Sequence, residues 1–190
     1  MIAILLNDAS FEQDIRELLM AFYPGETFTH KEEEAGEAEL IVRGVRDGNS
    51  FSLDVTPVKK EAVHFALIYP DFSNRFETKN EIKQTLYRLL SAQTGRELPW
   101  GTLTGIRPTK IALTKLYDGW TDEQIETYMR ETYFTSKEKI DLSIDVAERE
   151  RRLLSTIDYE NGYDLPVLFV YVVSDCEMGK TDGPLQRGAF

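Results

Sequence analysis

The run from Leu40 to Val55, LIVRGVRDGNSFSLDV, decides the fold. Leu40-Ile41-Val42 precede the turn residues Asp47-Gly48-Asn49, and Phe51, Leu53 and Val55 alternate after them. A period of two puts those three side chains on one face of a strand, and the Asp-Gly-Asn cluster supplies the backbone freedom of a tight turn. The run therefore predicts a β-hairpin with one buried face.

Working outward, the apolar run Ile2 to Leu6 predicts another strand. Phe11, Ile15, Leu18, Leu19 and Phe22 share one face of a helix that Pro24-Gly25 ends. Ser10 and Gln13, three apart, read as a capping box at its start. Val63 to Tyr69 is a candidate strand without strong end signals, so a helical reading stays open there. Residues 1–74 thus predict a small α+β domain, a mostly antiparallel sheet with a covering helix.

Residues 75–158 predict a helical region. Ile82, Leu86, Leu89 and Leu90 form an apolar stripe that Gly95 terminates. Leu98 to Pro108 is too rich in glycine and proline to continue a helix, and Pro108 suits a first helical turn. Thr121 with Gln124 and Thr135 with Glu138 read as capping boxes for two further helices, which carry Ile125, Tyr128 and Met129, then Ile140, Ile144, Ala147 and Leu154. Residues 159–190 form an atypical tail: a turn at Tyr159 to Gly162, a short strand over Leu165 to Val173, and a loose glycine-containing end.

With 190 residues, 42% of them apolar, 29% charged, the chain has the composition of a soluble globular protein. Its net charge of −11 opposes a nucleic-acid partner, whose affinity would come from Lys and Arg displacing counterions. Acidity is uneven, however. Lys31-Glu32-Glu33-Glu34 is a local acidic run, whereas Arg107, Lys110 and Lys115 leave room for a basic face. One cysteine, Cys176, excludes an intrachain disulfide, and no apolar run approaches the ~20 residues of a membrane span. A cytoplasmic protein with no membrane partner is the expectation.

Most motifs dissolve on inspection. Gly179-Lys180-Thr181 resembles a phosphate-binding loop, but Ser174 stands where that loop needs its first glycine, and Asp182-Gly183-Pro184 interrupts the following helix. His30 and His64 have no ligand at metal spacing. Cys176 lies between Asp175 and Glu177, which raise a thiol's pKa and weaken it as a nucleophile. No catalytic, cofactor or metal residue is therefore assigned. What remains is the connection from Trp100 to Lys110, read in two ways. It is either a plain interhelical link anchored by Trp100, or an anionic-group site built from backbone N–H groups with Arg107 and Lys110.

That connection carries a resemblance. Glu97-Leu98-Pro99-Trp100-Gly101-Thr102-Leu103-Thr104-Gly105-Ile106-Arg107-Pro108-Thr109-Lys110, preceded by Leu89-Leu90-Ser91 and Thr94-Gly95, closely resembles the N-terminal region of the anaerobic, oxygen-independent coproporphyrinogen dehydrogenases of the HemZ type. Similarity extends over roughly Lys79 to Gly162 and is weaker before it. The resemblance implies a radical SAM enzyme of porphyrin and heme biosynthesis that oxidatively decarboxylates coproporphyrinogen III, using a 4Fe–4S cluster and S-adenosylmethionine. It implies a CxxxCxxC motif just after Gly162, because three thiolates hold three irons of the cluster. One cysteine cannot provide that motif, so no cofactor is expected in this chain.

The preferred reading is an accessory N-terminal portion, inactive alone, severed from its catalytic domain near Gly162 by a truncation or frameshift. That missing domain would be its partner, with coproporphyrinogen III in the full enzyme. The alternative is a non-enzymatic interaction module docking through its helical half; an exposed apolar patch around Trp100 would support docking either to the missing domain or to another protein. Under the first reading Trp100, Thr104, Gly105, Arg107 and Lys110 are the candidate substrate or interdomain contacts.

Overall fold

The N-terminal apolar run is strand β1 (Ile2–Leu6) in a computed structural model that describes residues 1–58, 63–105 and 107–154. The chain divides into two units, Met1–Glu150 and Arg151–Phe190. After β1 come helix α1 (Glu12–Phe22), the short strand β2 (Phe28–Thr29), and the predicted hairpin, β3 (Leu40–Asp47) and β4 (Ser50–Pro57). Asp47 pairs with Ser50, and Gly48 turns between them at φ +56°. The open segment at Val63 to Tyr69 resolves as strand β5 (His64–Ile68).

The α+β class is as expected, with a mixed sheet of order β2-β1-β3-β4-β5. β1 runs parallel to both its neighbours, while β3–β4 and β4–β5 are antiparallel and carry the longer ladders. A parallel pair needs a crossover: α1 provides it between β1 and β2, and the 3₁₀ segment Glu32–Glu37 carries the chain from β2 back across β1 to β3. The covering layer has two helices rather than one. Ile2, Ile4, Leu40, Val42, Phe51, Leu53 and Val55 meet the α1 side chains Ile15, Leu18, Leu19 and Phe22 and, from α2 (Arg75–Thr94), Ile82, Leu86, Tyr87 and Leu90. Each such side chain contributes about 1.5–3 kcal/mol on full burial, so this face is the main source of stability in the first half. The reverse face is shallower, with Ala3 packed against Ala35 and Ala38.

Caps sort the helix starts. Thr121 and Gln124 form the predicted capping box at α4 (Asp122–Tyr133). The box at Ser10 and Gln13 does not form: Asp8 accepts from the Ser10 N–H and starts a 3₁₀ turn, Ala9–Phe11, ahead of α1. Ser10 lies inside that turn, so Phe11 rather than Ser10 takes the boundary position of α1 and no side chain caps it. Nor does Thr135 cap α5 (Lys137–Leu154); Ser136 accepts from the Lys139 N–H at 3.4 Å, and the Thr135 hydroxyl donates to the Trp100 carbonyl at 3.5 Å. Gly95 ends α2 in the left-handed conformation, φ +65°, as its position predicted.

A second apolar cluster holds the last helices. Ala112, Leu113 and Leu116 from α3 (Thr109–Tyr117) pack with Ile125 and Met129 of α4 and Ile140 and Ala147 of α5. The two clusters are joined by α2, whose Gln84 side chain donates to the Thr132 carbonyl at 2.8 Å and whose Tyr87 ring lies 5.5 Å from Phe134. The predicted turn at Tyr159 to Gly162, strand over Leu165 to Val173 and loose tail lie outside the described residues, as do Cys176 and the Gly179-Lys180-Thr181 motif.

Candidate functional site

The Leu98–Pro108 connection is held in place before it does anything else. Leu98 N–H donates to the Tyr87 hydroxyl at 3.0 Å, Thr102 N–H to the Tyr133 carbonyl at 2.8 Å, and Ser136 N–H to the Pro99 carbonyl at 2.9 Å. Gly101 sits at φ +57° directly against the α4–α5 turn, where a Cβ would lie 1.9 Å from the Tyr133 carbonyl oxygen. Only glycine satisfies both the left-handed backbone and that approach. The connection is thereby stapled to the end of α4 on one side and to α2 on the other.

Its second half lines a cavity of about 460 Å3. Thr102 to Gly105, Arg107 and Pro108 make one wall. α2 contributes Phe76, Lys79, Asn80 and Lys83, α3 contributes Lys110, Ile111, Thr114 and Lys115, and Glu17 of α1 with Tyr128 and Tyr133 of α4 complete it. Of the predicted contact residues, Thr104, Gly105, Arg107 and Lys110 meet here. Trp100 does not: it is half-buried away from the cavity, with the Lys139 ammonium 5.9 Å from its ring. Among the described residues the exposed large apolar side chains include Val63, Phe65, Leu67 and Tyr69 in and beside β5.

Five of the lining residues are cationic and one, Glu17, is acidic. In a chain of net charge −11 that concentration runs against the composition. Three of the cations have acidic neighbours: Lys79 pairs with Asp14 at 2.6 Å, Arg107 with Glu150 at 2.6 Å, and Lys115 with Asp118 at 3.8 Å. Lys115 also lies 5.0 Å from the Tyr128 ring, a cation–π contact. Lys83 differs. It is 6% exposed, its ammonium donates to the Thr104 hydroxyl at 2.8 Å, and that hydroxyl donates onward to the Glu17 carboxylate at 3.0 Å. Burial, then the Lys79 charge, holds its pKa below the ordinary lysine value, against the pull of Asp14 and Glu17. The Tyr133 phenol is pushed well above its usual range by burial and by its contact with Tyr128, so it stays protonated.

Sequence reasoning grouped Lys115 with Arg107 and Lys110 as a basic stretch but missed Lys79, Lys83, Tyr128 and Tyr133 as site residues. Lys83 follows Ile82 of the apolar stripe and reads as its solvated neighbour. Because α2 is covered by the sheet on one side and by α4 and the connection on another, its buried surface is far wider than a stripe and includes Thr78, Lys83 and Thr85.

The residues present do not fit the iron–sulfur cluster that the resemblance implies. Three thiolates are required; the chain has one cysteine, and among the described residues no group of three or more His, Cys, Asp or Glu could hold a metal. No described helix is long and apolar enough to cross a membrane.

An α+β module whose helical half presents a cation-rich cavity is thus the class that fold and site define. Over 98 residues, half of this chain, it is 35% identical to the oxygen-independent coproporphyrinogen-III oxidase-like protein HemZ of Bacillus subtilis (strain 168), and the match covers 19% of that relative. A HemZ-type relation thus holds over half of the chain, in agreement with the resemblance carried by the connection. No family model and no solved structure matches the chain.

Proposed function

We propose that this chain serves as an accessory region of an oxygen-independent coproporphyrinogen III oxidase of porphyrin and heme biosynthesis, working in the cytoplasm. The radical SAM chemistry, with its 4Fe–4S cluster and S-adenosylmethionine, belongs to a catalytic portion that these residues do not provide. One observation carries the reading: the similarity to the HemZ relative, in a chain whose HemZ-like connection is built into a cavity wall rather than left as a plain link. Thr104, Gly105, Arg107 and Lys110 are its contact residues toward the catalytic portion or a substrate propionate. Trp100 acts indirectly, through the carbonyl that Leu103 N–H and the Thr135 hydroxyl engage.

The test is a chimera in which the matched region of an active full-length relative is replaced by its counterpart from this chain. Oxygen-free turnover of coproporphyrinogen III within about tenfold of the parent is expected, since the chemistry would stay in the untouched portion. A chimera that folds and binds its cluster but does not turn over overturns the assignment.

A further inference from the structure

The cavity poses an electrostatic problem that the protein alone leaves open. A lysine 94% removed from solvent costs several kcal/mol in lost hydration unless an opposite charge replaces the water. Lys83 has no carboxylate within 4.0 Å among the described residues; its ammonium, with three N–H groups, has one hydrogen-bond partner there, the neutral Thr104 hydroxyl. Asp14 of α1, whose charge also favours the Lys83 ammonium, is already engaged by Lys79 at 2.6 Å, and Glu17 is joined to Lys83 through the Thr104 hydroxyl rather than by a direct ion pair. Lys110, across the same cavity, is exposed and has no side-chain partner among the described residues. Around these charges the walls are apolar or aromatic: Phe76, Leu103, Ile111 and Tyr128. Phe76 is 57% exposed in the free protein, a large apolar surface at the rim with nothing over it.

We infer that the cavity binds an amphiphilic organic anion, whose oxyanion group is taken up by Lys83 beside the Thr104 hydroxyl and whose apolar body covers Phe76 and Ile111. The assignment goes beyond the accessory role and rests on the cavity alone. An entering oxyanion accepts the hydrogen bonds that Lys83 cannot otherwise make, and charge-assisted bonds of this kind are about twice as strong as neutral ones. Lys110 adds attraction from the open side, and the apolar walls select a ligand with a hydrophobic body over inorganic phosphate. The Thr104 hydroxyl donates to Glu17 and accepts from Lys83, so it holds the ammonium at the cavity wall and leaves the other two N–H groups of Lys83 for the anion.

The test titrates the full chain calorimetrically with 2-naphthoate, 2-naphthyl phosphate and the neutral 2-naphthalenemethanol. Either anion, or both, is expected to bind at least tenfold more tightly than the alcohol, and the tighter of the two identifies carboxylate or phosphate as the preferred group. Lys83→Met should weaken the anions at least tenfold and leave the alcohol unchanged. Lys110→Ala, at an exposed position that does not disturb folding, should weaken them about threefold and reduce the salt dependence. Equal binding of acid and alcohol, no binding of either anion, or anion binding indifferent to both substitutions overturns the inference. Anion binding in a chain whose chimera is inactive would sink the accessory role and leave this site standing.

Discussion

Gly101→Ala should be among the most damaging small substitutions in the chain. The added methyl group would lie 1.9 Å from the Tyr133 carbonyl oxygen and 2.6 Å from the Phe134 carbonyl carbon, and both are backbone atoms that cannot rotate away. The residue also sits at φ +57°, which costs a non-glycine residue roughly 1–2 kcal/mol. Relieving the clash means moving the connection off the α4–α5 turn, which breaks the buried 2.8 Å bond from Thr102 N–H to the Tyr133 carbonyl, a loss of about 1–3 kcal/mol. Together these predict a destabilisation of about 2–5 kcal/mol, a large part of the 5–15 kcal/mol that typically separates folded from unfolded states. At about 2–4 °C per kcal/mol for a chain of this size, Tm should fall by roughly 4–20 °C. Urea denaturation followed by circular dichroism measures the change. Gly105→Ala is the control, since its Cβ meets nothing within 4 Å and its backbone needs no positive φ, so it should stay within about 0.5 kcal/mol of the parent. A Gly101→Ala protein within 1 kcal/mol of the parent would refute the claim that this contact pins the connection.

The remaining predictions concern charge and capping. Burial and Lys79 hold the Lys83 pKa below its unfolded value, so in the interval between the depressed folded pKa and the ordinary lysine value the unfolded chain binds the extra proton, and stability rises with pH there. Lys83→Met should therefore be more stable than the parent at neutral pH, with the advantage shrinking as pH climbs toward the unfolded lysine value; urea midpoints for both proteins across pH 7 to ~10.5 check this, and a gap that widens with pH would contradict it. Thr121→Ala removes the hydroxyl that accepts from Gln124 N–H and should cost about 1 kcal/mol, seen as a lower denaturation midpoint with an unchanged slope.

Local chemistry made much of this molecule legible in its residues. Alternation at Phe51, Leu53 and Val55 around Asp47-Gly48-Asn49 specifies the hairpin because strand periodicity and turn conformation are properties of adjacent residues. The helix stop at Gly95, the Thr121 box and the specific run from Leu98 to Lys110 were readable for the same reason. Other features depend on partners distant in the chain. The parallel seating of β1 beside β3 arises from a crossover, and Asp8 displaces Ser10 as cap only once the 3₁₀ turn forms. Above all, the cavity joins Glu17, Lys83, Thr104, Lys110 and Tyr128, residues spread over more than a hundred positions. Sequence placed Lys83 beside an apolar stripe; only the packing of α2 between the sheet and the helical layer removes its water, and a lysine's charge acquires its meaning from what surrounds it.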